Sequence, residues 1–176
     1  EDEDWRVIYL TPLIFIVAVI PLIVYGKEVS VTGILVDYWS KNFDFFSYYK
    51  MIFLLLATIA AIILFIIYYL RNKELKSTYY YLLIEVYAIL IIISTYYSAH
   101  RKVALWGFPD RYEGALVLLS YLIILVITIN LTRSKQDFKL LLIPLFISAV
   151  IISIIGIVQY CGVDLLTTLV GKKLIL

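Results

Sequence analysis

Five apolar runs, each of about twenty residues or slightly fewer, alternate with short polar segments along the chain. They extend from about Val7 to Tyr25, Met51 to Leu70, Tyr79 to Tyr97, Ala115 to Leu131 and Leu140 to Tyr160. At about 1.5 Å per helical residue, runs of this length match the roughly 30 Å hydrocarbon core of a bilayer. They are apolar all round and do not alternate, which predicts helices and argues against the strands of a transmembrane barrel. The pattern predicts an all-α fold: a polytopic transmembrane helix bundle of about five spans, with residues 1–176 forming one domain. Pro12 and Pro21 fall inside the first run and Pro144 inside the fifth. Each removes an N–H and predicts a kink, tolerated where neighbouring helices satisfy the freed carbonyls. Gly162, just past the fifth run, predicts a helix stop.

Composition narrows the class without changing it. Of the 176 residues 64% are apolar and 16% are charged. That is too little polar surface to clothe a soluble domain, so the lipid bilayer is the expected partner. The acidic start and the length of the first run argue against a cleaved signal peptide. The charges lie almost entirely between the runs, where they report topology; no nucleic-acid partner is expected. Cys161 is the only cysteine, which excludes an internal disulfide and a cysteine metal site, and it reads as a small apolar residue at a helix end.

The fifteen lysines and arginines divide almost evenly between the two sides of such a bundle. Their density does not: Arg71–Lys76 and Thr132–Lys139 are the most concentrated basic segments. The positive-inside bias acts through short loops of this kind. It predicts a cytoplasmic N-terminus, both basic turns on the same side, and residues 98–114 outside. Tyr38, Trp39, Phe43, Phe45, Phe46, Tyr48 and Tyr49 crowd the segment before the second run and read as an interfacial aromatic belt, with a sugar-stacking platform as the alternative. Glu85 is the one ionisable carboxylate well inside a run. It either snorkels toward Arg71, Lys73 or Lys76, about two turns away, or acts at an intramembrane site.

Candidate chemistry concentrates between Ala99 and Gly114. His100, Arg101, Lys102 and Arg111 offer cationic and hydrogen-bond donors, and an arginine binds phosphate through two parallel bonds. Trp106 offers a flat face for a sugar ring. Gly107 and Pro109 predict a tight, ordered turn. Asp110 and Glu113 can pair with the arginines or accept a hydroxyl proton, and their loose spacing is only a weak acid/base signal. The competing reading is an ordinary outer loop whose cations meet lipid phosphates. No metal-ligand spacing, phosphate loop or serine triad is present, so neither a metal nor a cofactor is expected.

Two segments resemble a known family. Ser94-Thr-Tyr-Tyr-Ser98, Ala104-Leu-Trp-Gly107 and Arg111-Tyr-Glu-Gly-Ala-Leu116 resemble the first outer segment of the O-antigen ligase and polymerase family, closest to its Gram-positive-type "RYEG" members. Ile155-Gly-Ile-Val-Gln-Tyr-Cys-Gly-Val-Asp164 is similar to that family's "GIxQYxGxD" segment, in matching order and separation. The resemblance implies a multi-pass glycosyltransferase of the bacterial plasma membrane, acting on the outer side. Such enzymes transfer a glycan from an undecaprenyl-diphosphate carrier to an acceptor, without a cofactor. It carries over Arg111, Tyr112, Glu113 and Gly114, with Gln159 and Tyr160 as structural positions, and implies that Arg111 and Arg101 stabilise the leaving diphosphate; together with Trp106 and Glu113 these arginines are the candidate substrate-binding residues. Family members have ten to twelve spans and an essential histidine in a later outer loop. The resemblance thus implies that this chain is the front part of a larger protein, with its catalytic residues beyond Leu176 and not at His100. A transporter or channel subunit using Glu85, or a non-catalytic structural bundle, are the alternative readings. Oligomeric state is not legible.

Overall fold

The computed structural model describes residues 2–25, 27–29, 42–44, 47–73, 75–76, 78–108 and 111–162, with side chains from Trp5 onward except those of 27–29 and 42–44. Among these residues the chain forms α1 (Asp2–Ala18), a 3-10 turn (Ile20–Leu22), α2 (Tyr48–Asn72), α3 (Tyr80–Tyr97), α4 (Arg101–Trp106), α5 (Ala115–Leu131) and α6 (Lys135–Tyr160). Two short strands, β1 (Lys27–Val29) and β2 (Asn42–Asp44), pair antiparallel between α1 and α2, with Glu28 opposite Phe43.

The expected helical bundle is present. Trp5–Leu22, α2, α3 and α6 are long and apolar enough to cross a membrane, and α5 is a shorter apolar helix of 17 residues. At about 1.5 Å per residue α5 spans about 26 Å, near the lower limit for a crossing. The first run departs from its expected extent, because α1 ends at Ala18 and a 3-10 turn carries the chain through Pro21. The last helix begins earlier than expected, at Lys135, because Ser134 and Asp137 form a capping box. The helix stop at Gly162 is present, with φ +88°.

The core lies between α1, α2 and α5. At one end Tyr9, Leu10 and Leu13 pack with Ala61, Tyr68, Ile127 and Leu131. At the other, Ile20 packs with Met51, Leu54, Ala57 and Val117. Ala57, Thr58 and Ala61 are all buried on α2. Such small residues let neighbouring helices approach closely, and in lipid that packing, more than removal from water, drives association. α6 lies on α1, and α3 lies on the far side of α5.

Contacts fix which connections share an end. Arg6 bonds Asp137 at 2.8 Å, the Arg71 guanidinium sits 4.9 Å from the Trp5 ring, and Lys76 donates to the Thr132 carbonyl at 2.5 Å. The N-terminus and the two basic turns therefore lie together, as the five-pass reading requires. Asn130, 1% exposed, locks this end: its carbonyl accepts from the Lys76 N–H at 3.0 Å and its amide donates to the Tyr81 hydroxyl at 2.7 Å. Residues 98–108 and 111–114 occupy the opposite end, beside the starts of α2 and α5.

Candidate functional site

The polar stretch folds into a short helix and a tight return. α4 opens with the His100 carbonyl accepting from Ala104 at 2.9 Å and closes with the Gly107 N–H donating to Val103 at 2.8 Å. Gly107 takes φ +89°, a conformation that glycine adopts without steric cost. The Phe108 carbonyl then accepts from the Arg111 N–H at 3.1 Å and the Tyr112 N–H at 2.9 Å. Tyr112 has φ +48°, an uncommon value for a residue with a side chain. The returning chain runs so close to the end of α4 that a Cβ at Gly107 would meet the backbone of Tyr112 and Glu113, and one at Gly114 the backbone of Leu105 and Gly107. Two glycines thus let the chain cross itself, and the crossing fixes Arg111, Tyr112 and Glu113 between them.

Aromatic rings tie this turn to the bundle. Tyr112 meets Tyr48 edge-on at 5.3 Å between centroids, Tyr48 meets Tyr49 at 5.3 Å, and Tyr49 meets Tyr25 at 4.5 Å. Such pairs each contribute about 1 kcal/mol beyond the area they bury. Tyr48 and Tyr49 from the expected aromatic belt are therefore engaged in packing. Tyr38, Trp39, Phe45 and Phe46 lie outside the described residues, as does the side chain of Phe43.

Beside the turn lies a cleft of about 420 Å³. Ile16, Met51, Leu54 and Val117 line it with apolar surface, while Lys50, Arg111 and Glu113 supply its charges. Lys50 reaches from the first turn of α2 to donate to the Pro21 carbonyl at 2.9 Å, a group that the 3-10 turn leaves without a helical partner. Neither the Arg111 guanidinium nor the Glu113 carboxylate has a hydrogen bond or ion pair among the described residues. Both are exposed. The N-terminus of α5 follows at Gly114, so the positive end of that helix dipole adds to the cationic character of the rim. Two cations and one carboxylate over an apolar lining suit an anionic headgroup with a hydrocarbon tail.

The other candidates go elsewhere. Arg101 lies over the Tyr96 ring at 5.3 Å and, with His100 and Lys102, lines a separate depression of about 590 Å³. Trp106 is 46% exposed at the end of α4 and lines neither. Asp110 lies outside the described residues, as does Asp164. Gln159 and Tyr160 are exposed at the end of α6, which packs mainly on α1, and they do not line the cleft. Glu85 is exposed on α3 and has no hydrogen bond or ion pair among the described residues. Arg71 is engaged with Trp5 and Lys76 with Thr132. No group of three or more His, Cys, Asp or Glu side chains converges among the described residues.

Sequence reasoning missed Lys50 and Tyr121 as lining residues. Lys50 carries a faint signal, a cation immediately before an apolar run; Tyr121, within a uniformly apolar helix, carries none. No protein-family model, curated protein or solved structure matches the chain.

Proposed function

We propose that this chain forms part of a membrane glycosyltransferase of the O-antigen ligase and polymerase type, set in a bacterial plasma membrane with residues 98–114 on the outer side. In this reading it transfers a glycan from an undecaprenyl-diphosphate carrier to an acceptor. The observation that carries it is Arg111, exposed and uncommitted at a cleft that joins the charges of Lys50 and Glu113 to the apolar side chains of Ile16, Ile20, Met51, Leu54 and Val117. The RYEG and GIVQYCGVD segments point the same way.

Arg111 grips the carrier diphosphate through paired N–H donors, and Lys50 adds a second positive charge. The polyprenyl chain lies along Ile16, Leu54 and Val117. Glu113 accepts hydrogen bonds from hydroxyls of the first sugar. In the transfer, the bond from the sugar's anomeric carbon to the diphosphate oxygen breaks and one to the acceptor oxygen forms. The departing diphosphate gains negative charge, which Arg111 and the start of α5 stabilise. The group that takes the acceptor's proton is not assigned within this chain. Arg101 and Trp106, on α4, flank this site without lining the cleft.

The test is Arg111→Ala and Arg111→Lys in the protein expressed in its own membranes, with carrier-linked glycan and transferred product measured at equal protein level. A charge-assisted pair contributes about 1.5–3 kcal/mol, so alanine is expected to lower transfer about 10- to 100-fold. Lysine, lacking the paired geometry, restores only part of it. Unchanged product with alanine would remove Arg111 from the site and the reading with it.

A further inference from the structure

A second amphipathic groove lies at the opposite end of the bundle, between α1 and α6. Arg6 is anchored there: its Nη2 donates to the Ser134 hydroxyl at 3.0 Å and to the Asp137 carboxylate at 2.8 Å. Asp137 is almost fully enclosed, with its side chain 3% exposed, whereas the Arg6 side chain is 41% exposed. A guanidinium carries five N–H donors, and the two on Nη2 are used. The three on Nε and Nη1 have no partner among the described residues. Arg6 is thus held in position by one edge and open along the other.

Arg6 lines a groove of about 350 Å³ together with Gln136 and Lys139, and with Val7, Leu140 and Ile143. The Lys139 ammonium has no hydrogen bond or ion pair among the described residues. Gln136, Lys139, Leu140 and Ile143 follow the i, i+3, i+4, i+7 spacing of one helix face. Along that stripe the groove changes character, polar in the first turn of α6 and apolar from Leu140 onward. Ile143 is 57% exposed and Val7 45% exposed, so the apolar half opens toward the surroundings of the bundle.

We propose that this groove binds one anionic phospholipid. Its phosphate lies between Arg6 and Lys139, with the Gln136 amide as a further donor, and an acyl chain runs along Val7, Leu140 and Ile143. The order of groups along α6 matches the order within a lipid, head at the interface and tail toward the bilayer centre. Asp137 offsets one of the two cations. Charge alone therefore gives a free phosphate ion little hold, and a ligand gains most when it also fills the apolar half. Basic pockets between helices on the cytoplasmic side are a recognised form of headgroup site. The proposal needs only the membrane-spanning bundle and is independent of the activity assigned above.

The experiment is native mass spectrometry of the purified protein from detergent supplied with dioleoylphosphatidylglycerol or dioleoylphosphatidylcholine. Phosphatidylglycerol is expected to be retained selectively. Lys139→Ala, a change at an exposed side chain without a partner, should weaken that retention about five-fold, the contribution of one surface cation. Lys139→Arg should preserve it, and Lys73→Ala, on the exposed turn after α2, should leave it unchanged. Equal retention of the two lipids overturns the proposal, as does selective retention that Lys139→Ala does not alter. Displacement of the lipid by millimolar inorganic phosphate would mean an ion site in place of a lipid site, and overturns it too.

Discussion

At the scale of single residues, the informative contacts repair backbone groups that proline leaves open. Pro21 has no N–H, so the Val17 carbonyl one turn earlier loses its helical donor. Ser148 on α6, 2% exposed, supplies one: its hydroxyl lies 3.0 Å from the Val17 carbonyl and 2.9 Å from its own Leu145 carbonyl. A hydroxyl has one proton, so the two acceptors share it. Interhelical bonds of this kind contribute about 0.6 kcal/mol on average in membrane proteins and seldom exceed about 1.7. Ser148→Ala is therefore expected to cost about 1 kcal/mol in reversible unfolding from mixed micelles. In a Pro21→Ala background the restored N–H can serve Val17 directly, and the cost of Ser148→Ala should shrink. Strictly additive losses would show that Ser148 stabilises the bundle by some other route.

At the scale of elements, the start of α6 shows what hydropathy reads and what it misses. Lys135, Asp137 and Lys139 dilute an apolar window, so the sequence suggests a turn through Lys139. The helix begins five residues earlier, at Lys135 instead of Leu140, because its first turn is satisfied by side chains. The Ser134 hydroxyl accepts from the Asp137 N–H at 3.2 Å, and the Asp137 carboxylate accepts from the N–H groups of Ser134 and Arg133 at 2.8 and 3.0 Å. Removing the Ser134 hydroxyl by alanine should cost about 1 kcal/mol, the usual value of a cap. Asp137→Ala strips Arg6 of its ionic partner, leaving it only the Ser134 hydroxyl, and leaves two N–H groups open, so about 2 kcal/mol is expected, less than a fully buried pair would cost because Arg6 is partly solvated. Thermal unfolding in detergent checks the order; equal losses would mean that the Asp137 carboxylate, with its ion pair and its two N–H bonds, adds nothing beyond what the Ser134 hydroxyl contributes. The apolar runs, the ends of α5 and the stop at Gly162 were legible because each is signalled by its own residues. Asn130 was not, since what makes it structural is its reach to Lys76 and Tyr81 on other segments. Nor was the separation of Arg101 from Arg111: ten positions apart in sequence, they line different depressions because α4 and the glycine crossing intervene.

At the scale of the whole molecule, the alternation of ends ties the proposed chemistry to one side of the membrane. The RYEG turn, the start of α2 and the last turn of α6 share an end, and the N-terminus and both basic turns share the other. Cys161 makes this measurable: it is the one cysteine of these 176 residues and is exposed at the end of α6. If the basic turns face the cytoplasm, as the concentration of lysine and arginine in short connections predicts, Cys161 faces outward. A membrane-impermeant maleimide applied to intact protoplasts should then label Cys161. Lys73→Cys in a Cys161→Ser background should be labelled only after permeabilisation. The reverse pattern would turn the Arg111 cleft toward the cytoplasm, where an enzyme that uses outward-facing carrier-linked glycans has no substrate. The orientation and the proposed activity would then fail together, while the packing of α1, α2 and α5 would stand. Labelling of both cysteines from outside would contradict the packing itself, because position 73 follows α2 at one end of the bundle and Cys161 follows α6 at the other.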